Sequence, residues 1–595
     1  MQSSIQLTMI DFKKPWWYII FQQPLLLGSV FIVGTMRYLF QTFEPFLVAI
    51  LLEHLDWYFF AGACFLWFFS EINLICMGVL NPKFQLGVIH SIFYSAHQQL
   101  LLIDPLYHTK RSCGSILAKI DRAARGYEDL LDQITFEFAP LLIGVVSMVL
   151  VFSRHSWWLT LSVFGCLLIM VFYAYYFARY VCQKRENDFI YSDDDFKATA
   201  FENLTHINVV RASFATDYVR DKLTTKIVTN SFKEEVVWRT YSFVSRVLNA
   251  IYTVSIVLLV AFFMQSIKSG QVSLAHAIGI ILAYITCTQR LIKIVQPMRR
   301  YLRGYTAAKD LFKAMREFGQ QTIPVFENQS MHLSEDKQLA VEVSGLHFGY
   351  SSAKMFNSHS LSLNVDSSQL NKLYGLIGPS GVGKTTLLSI LGGQLKPLDG
   401  TVKINGIDIY RVGDAVRRQL IALQGQVATN LKGSVRDNML FGLPKNHSYG
   451  DDYLLSILEQ VGLKRVVQEH NGLEAILGLG EGALNLSGGQ KQRLNFGALY
   501  LRAKYYKPAL ILIDEPTSSL DEISEAAVTD MIHELASSAI TLVIAHRLKT
   551  IERAMGLIDL SLLSESQNIQ IYSSHELEAR SSYYRRLLEG SAQID

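Results

Sequence analysis

Apolar residues are unevenly spread along this chain. Long apolar stretches crowd the first 300 residues, near 26–52, 57–80, 136–152, 157–178, 247–266 and 275–296. A helix needs about 20 such residues to cross roughly 30 Å of hydrocarbon, so the pattern predicts six spans. The third stretch is short, and the sixth is interrupted by Thr286, Thr288, Gln289 and Arg290. From residue 340 the pattern changes to short apolar strands alternating with polar loops and helix starts, which predicts an α/β layer.

The links between the spans are unequal. Links of about 55 and about 70 residues follow the second and fourth spans, and the others are short. The long links carry the positive charge, with Lys110, Arg111, Lys119, Arg122 and Arg125 in one and Lys184, Arg185, Arg211 and Arg220 in the other. Because Lys and Arg accumulate on the cytoplasmic side, the long links, the N-terminus and the C-terminal half are expected inside. "SILAKIDRAARGYEDLLDQITFEF" repeats apolar positions every three or four residues, so the links read as helical extensions. Their turns fall near "IDPLYHTKRSCG" and "SFATDYVRDK". Ionisable residues within the spans are expensive: Arg37 and Glu44 on the first, Glu71 on the second, Arg290 and Lys293 on the last. Arg37 and Glu44, seven apart on one helix face, either line a polar substrate path, pair structurally or sit near an interface where water reaches.

Composition supports a membrane half. Half of the residues are apolar, at 50%, and 12% are aromatic. The net charge of +3 is small for 595 residues, so charge gives no case for a nucleic-acid partner. The six cysteines, Cys64, Cys76, Cys113, Cys166, Cys182 and Cys287, show no CxxC spacing and read as small apolar residues. At the N-terminus Lys13 and Lys14 precede Trp16, Trp17 and Tyr18 without a small-residue cleavage site, which suits an interfacial helix.

The α/β half carries the chemistry. "KLYGLI" runs straight into "GPSGVGKTT" and the helix start "TLLSIL", the strand, loop and helix order that a phosphate-binding loop requires. Gly378, Pro379, Ser380, Gly381, Val382 and Gly383 would wrap backbone N–H groups around phosphates. Lys384 would neutralise β and γ charge, and Thr385, followed by Thr386, would offer a hydroxyl to Mg²⁺. A second strand, "ALILID", ends in Asp514, placed to hold the metal's water shell. Glu515 follows it, able to orient or deprotonate an attacking water. A third strand, "ITLVIAH", ends in His546, which can hydrogen-bond the γ-phosphate or that water.

"NLSGGQKQR" adds a second anion site. Ser487, Gly488 and Gly489 precede a helical run, where free N–H groups and the helix dipole favour negative charge. A P-loop already serves its own nucleotide from one side. The economical arrangement is a head-to-tail pair of chains with two ATP molecules between them.

These motifs together resemble an ATP-binding cassette transporter of the exporter type, a half-transporter with its membrane domain first. "LSGGQ" at 486–490, ending in Gln490, resembles the family signature, "LILIDEP" its Walker B strand, and "SSLD", ending in Asp521, its D-loop. The resemblance implies that Tyr350 in "LHFGY" stacks on adenine and that Glu481 lies in the segment touching the membrane-domain hairpins. In place of the family's Val-Pro-Gln the chain has "ALQGQVATNLKGSVRDN". Spacing back from "GSVRDN" selects Gln426 as the metal-contacting glutamine, with Gln424 as the alternative. Membrane-half phrases resemble most nearly the branch of mitochondrial and bacterial glutathione or heavy-metal exporters.

The expected architecture is an α-helical membrane domain of six transmembrane helices with long cytoplasmic extensions (1–320), a linker (321–339) and an α/β P-loop ATPase domain (340–595). The expected cofactors are ATP and Mg²⁺, with Thr385, Gln426 and Asp514 at the metal and Glu515 and His546 at the reacting water. The expected partners are a second copy of the chain or a sibling, the lipid bilayer and a transported substrate. By resemblance the activity is export by alternating access, with lipid flipping or an ATP-gated regulator as alternatives. The expected location is a bacterial cytoplasmic membrane, with the ATPase domain in the cytoplasm.

Overall fold

The structure is a computed structural model and describes residues 9–36, 51, 57–101, 113–153, 157–319, 338–350, 353–366, 369, 371–478, 483–516, 522–545, 551–565 and 568–589. Outside residues 102–110 it divides into a helical unit up to Gln321 and an α/β unit from Thr322.

Long helices build the first unit because apolar runs continue directly into amphipathic ones, and the helix Trp57–Leu101 runs on even through Pro82. In chain order these are α1 (Pro24–Met36), α2 (Trp57–Leu101), α3 (Cys113–Asp132), α4 (Ala139–Ser153), α5 (Trp157–Phe177), α6 (Gln183–Thr205), α7 (Ile207–Ala212), α8 (Thr216–Lys268), α9 (Leu274–Lys293) and α10 (Val295–Gly319). Wider π turns at Gln133–Phe138 and Ala178–Cys182 join α3 to α4 and α5 to α6, so each pair runs on as one rod. The turn between α7 and α8 holds Phe214 at φ 50°, within the sequence-predicted hairpin turn "SFATDYVRDK". The other predicted turn lies in the undescribed stretch 102–112.

Among the described residues, four helical stretches are long and apolar enough to cross a membrane: Trp57–Leu101, Val163–Thr205, Thr216–Lys268 and Leu274–Lys293. They correspond to the second, fourth, fifth and sixth expected spans. α1 covers the start of the first expected span, whose remainder lies outside the described residues with Arg37 and Glu44. α4, the third, has 15 residues, fewer than the hydrocarbon core requires without its neighbours. Glu71 and Lys293 are exposed on α2 and α9, and the side chain of Arg290 is not described.

Two features bind the helices. At the α3–α10 crossing, Gly126 and Gly304 meet backbone to backbone: a Cβ on Gly304 would lie 2.2 Å from the Gly126 carbonyl oxygen. Nearby, Glu186 of α6 is buried and accepts from the Arg299 Nε at 3.2 Å and from the Arg303 Nε, both on α10. The Arg299 guanidinium also lies 4.3 Å over the Trp238 ring of α8, so three helices converge on one buried carboxylate. The N-terminal segment docks on α10 as well. Phe12 packs edge-on against Phe312, and Arg316 donates to the Phe12 and Lys14 carbonyls. Ile10, Phe12 and Ile19 are buried there while Trp17, Phe21 and Leu25 point outward.

The α/β unit opens with an antiparallel sheet in the order β2-β1-β4-β5, from β1 (Gln338–Tyr350), β2 (Ala353–Asp366), β4 (Asp399–Ile404) and β5 (Ile407–Asp408). Beside it a parallel sheet runs β11-β3-β10-β9-β6, from β3 (Leu373–Ile377), β6 (Ile421–Gln424), β9 (Leu510–Asp514), β10 (Ile540–Ile544) and β11 (Gly556–Asp559). A short pair, β7 (Gly433–Ser434) and β8 (Ile476–Leu477), completes the strands. In β9, Ile511 and Ile513 pack into one apolar core while Leu510 and Leu512 pack into the other. Burial on both faces is why these strands read as unbroken apolar runs.

The Gly126–Gly304 approach makes a prediction. Gly304→Ala is expected to cost about 1–3 kcal/mol by forcing α3 and α10 apart. Gly165→Ala, whose Cβ would meet nothing within 4 Å, serves as a neutral comparison. Thermal unfolding of the detergent-solubilised chain should show a lowered midpoint for the first variant only.

Candidate nucleotide site

The parallel sheet brings its polar residues to one edge. β3, β10 and β9 are in parallel register, with Leu376 opposite Ile544 and Ile544 opposite Asp514. Residues that follow these strands therefore gather at a common edge, where ligands of such sheets bind.

After β3 the chain turns through Gly378 (φ 140°), Gly381 (φ 78°) and Gly383 (φ 106°) before α11 (Lys384–Leu391). Positive φ at three glycines lets successive amides face the same hollow, a conformation costly for other residues. The Lys384 side chain is buried, and its Nζ donates to the Gly378 and Pro379 carbonyls at 2.7 and 3.0 Å. Burial pushes its ammonium below the ordinary lysine value, while the charges of Glu515, Asp514 and Asp559 oppose that shift. Ser380 and Thr385 are exposed at the mouth of the loop, and Thr386 is buried behind it.

Asp514 ends β9 fully within the sheet, 1% exposed, and Glu515 follows at φ 49°. The left-handed region is uncommon for a residue with a side chain, so its neighbours must hold it there. The Glu515 N–H donates to the Ile544 carbonyl at 3.1 Å, and its own carbonyl accepts from Gln492 Nε2. Gln492 lies on α12 (Gly488–Tyr506), the helix that begins at the "LSGGQ" run. One glutamine thus ties that helix to the acidic pair, which motif reading alone did not identify.

Ser487 caps α12: its hydroxyl accepts the Gln490 N–H at 3.2 Å, and Gln490 Oε1 accepts the Ser487 N–H at 2.9 Å. This capping box fixes the helix start with Ser487 and Gly488 exposed and the dipole directed outward. The sequence-selected Gln426 is exposed, two residues beyond the end of β6. The alternative, Gln424, is buried at the end of β6, where its Nε2 donates to the Gln492 carbonyl at 3.5 Å. Tyr350 ends β1, but its side chain is not described. His546, Asp521 and Glu481 lie outside the described residues. The hydroxyl of Thr385, the carboxylate of Asp514 and an amide oxygen form a hard-oxygen donor set of the kind Mg²⁺ takes.

Comparison with known proteins adds two family matches. Residues 359–518 match the family described as ABC transporter, and residues 23–291 match the ABC transporter transmembrane region. A putative export ATP-binding/permease protein of Rickettsia felis is 32% identical over 269 residues, 44% of this chain and 44% of that protein. The chain thus matches less than half the length of that relative. An ATP-dependent lipid A-core flippase of Pseudomonas aeruginosa is 26% identical across 85% of this chain and 80% of its own length. The structure of a bacterial Atm1-family ABC exporter with ATP bound superposes with a TM-score of 0.79 at 17% identity, covering 97% of this chain and 100% of that one.

The two glutamines should separate experimentally. Gln426→Ala is expected to lower ATP hydrolysis by roughly tenfold or more while leaving the thermal midpoint unchanged. Gln424→Ala, which empties a buried site, is expected to cost about 1–3 kcal/mol of stability. Hydrolysis assays and melting curves on the two variants would expose a reversed assignment as the opposite pairing of effects.

Proposed function

We propose that this chain, which belongs to the ABC transporter family, is half of an ATP-driven exporter that works as a dimer by alternating access. The observation that carries the proposal is the convergence of the buried Lys384, Asp514 and the left-handed Glu515 on one sheet edge, in a chain whose other half is apolar helices.

In this reading the amides of Gly378 to Gly383 and the Lys384 ammonium hold the β- and γ-phosphates. The exposed Thr385 hydroxyl, Asp514 and Gln426 would hold Mg²⁺, which would supply charge neutralisation at the transferred phosphoryl group. Glu515 orients and accepts a proton from the attacking water. Its backbone is fixed by Gln492 and the Ile544 carbonyl, so the carboxylate is aimed before nucleotide arrives. His546 reaches the γ-phosphate or that water, and Tyr350 stacks on the adenine. The exposed start of α12, with Ser487, Gly488, Gly489 and Gln490, completes the site of the other copy, with Asp521 alongside.

Closure of two such sites draws the α/β units together, and the long helices carry that movement to the membrane. The cargo is a small molecule, lipid or peptide. The partner is an identical chain or a sibling, and the Rickettsia relative supports a bacterial cytoplasmic membrane with the ATPase unit inside. Lipid flipping is the second reading, favoured by the similarity to the Pseudomonas flippase across 85% of this chain.

Inverted vesicles bearing the protein, loaded with a whole-cell extract, provide the test. Wild type is expected to accumulate at least one compound in an ATP-dependent manner, read by mass spectrometry, and Glu515→Gln to bind ATP without accumulating it. Continued ATP hydrolysis with no compound enriched would contradict export, and movement of labelled lipid between leaflets would then favour flipping.

A further inference from the structure

Behind the phosphate-binding loop lies a carboxylate that the proposed mechanism does not use. Asp559 ends β11, the strand beside β3, and stands in register with Ile377, the residue before Gly378. It is 4% exposed. A Cβ on Gly378 would come 3.5 Å from Asp559 Oδ1, so the carboxylate abuts the backbone whose carbonyl accepts from Lys384. The charge therefore sits directly behind the cradle that must hold a triphosphate.

Two donors meet its carboxylate. Oδ1 accepts the Ser561 N–H at 2.8 Å, and Oδ2 accepts the Ser581 hydroxyl. Ser581 is fully buried, and its oxygen already accepts the Tyr584 N–H at 2.9 Å, which leaves the hydroxyl proton for Asp559. Ser581 links two C-terminal helices, α13 (Ser574–Arg580) and α14 (Ser582–Leu588). These are anchored by Leu577, Tyr584 and Leu587 in the same core as β3. Among the described residues Asp559 forms no ion pair, although Lys384 feels its charge.

A negative charge at the back of the site helps keep Lys384 protonated, but it acts directly against the phosphates that the site must attract. Like charges on the order of 10 Å apart, at an effective dielectric of about 20, repel enough to change a binding constant by about tenfold. We propose that Asp559 is a detuning residue of the nucleotide site, weakening the grip of the loop on phosphates so that nucleotide can leave, and that Ser581 of the C-terminal helices holds it in place. The proposal rests on the ATP-binding reading above. It differs from a purely architectural role at the end of β11, which would affect stability without distinguishing phosphates from other ligands.

Asp559→Asn keeps the shape and the bond from Ser561 and removes the charge, but it turns the Ser581 hydroxyl from donor to acceptor, so adenosine binding serves as the control for that local change. In the full-length chain carrying Glu515→Gln, binding of Mg-ATP, Mg-ADP and adenosine is measured by calorimetry with and without Asp559→Asn. The expected result is about tenfold tighter binding of both nucleotides with adenosine unchanged. Asp559→Ser, smaller and also uncharged, should shift nucleotide affinity in the same direction, and it carries the test if the Asn variant does not fold. Unchanged or weaker nucleotide binding, or an equal shift for adenosine, would overturn the proposal. If the parent binds no Mg-ATP and Lys384→Ala makes no difference, the ATP-binding reading fails instead.

Discussion

The parallel sheet can do polar chemistry only at its ends. β3, β9 and β10 are buried on both faces, and the one acidic group they carry, Asp514, stands where its strand stops. Parallel register then places those stops side by side, and the Gly378 loop, Asp514 and Glu515 meet without further arrangement. The strain at Glu515 is part of the same constraint. The chain leaves a buried strand at φ 49°, and the bonds from Gln492 and to Ile544 hold it there. Gln492 lies four residues into the helix that begins at Gly488, so the second anion site and the acidic pair are mechanically one piece.

The helical half solves a different problem by related means. In lipid each backbone polar group must be satisfied within its own helix, which accounts for rods such as Thr216–Lys268, 53 residues long. Where the rods need specific alignment they use either close backbone approach or buried charge. Gly126 against Gly304 is the first device; Glu186 between Arg299 and Arg303, with Trp238 against Arg299, is the second. An ion cluster of this kind is a weak source of net stability and a strong source of register, since any shifted pairing would leave a buried charge alone.

Much of this was legible in the sequence where the signal is local. The loop at 378–386 is a contiguous motif between a strand and a helix, and the start of α12 at Gly488 follows from the Ser487 cap and Gln490 three residues on. The apolar runs gave four spans directly, while the helix Ala139–Ser153 shows why a short run is ambiguous: its length alone does not settle whether it crosses. Contacts made by distant residues were not legible. Glu186 and Arg299 are 113 residues apart, and nothing in the spacing of either marks it as a partner. Gln424 and Gln426 are two residues apart on an extended segment, where the change from strand to loop decides which is buried. Asp559 carries no motif, and only the pairing of β11 with β3 places it behind the loop.

The central claim is that each nucleotide lies between the phosphate loop of one copy and the α12 start of another. Co-expression of two tagged chains, one carrying Lys384→Ala and the other Ser487→Arg, tests it directly. In the head-to-tail arrangement one site loses both halves and the other keeps both, so the purified mixed pair should bind about one Mg-ATP tightly and retain ATP hydrolysis. If each chain instead completes its own site, the mixed pair has no intact site. Absence of tight binding and hydrolysis in the mixed pair would then contradict the account.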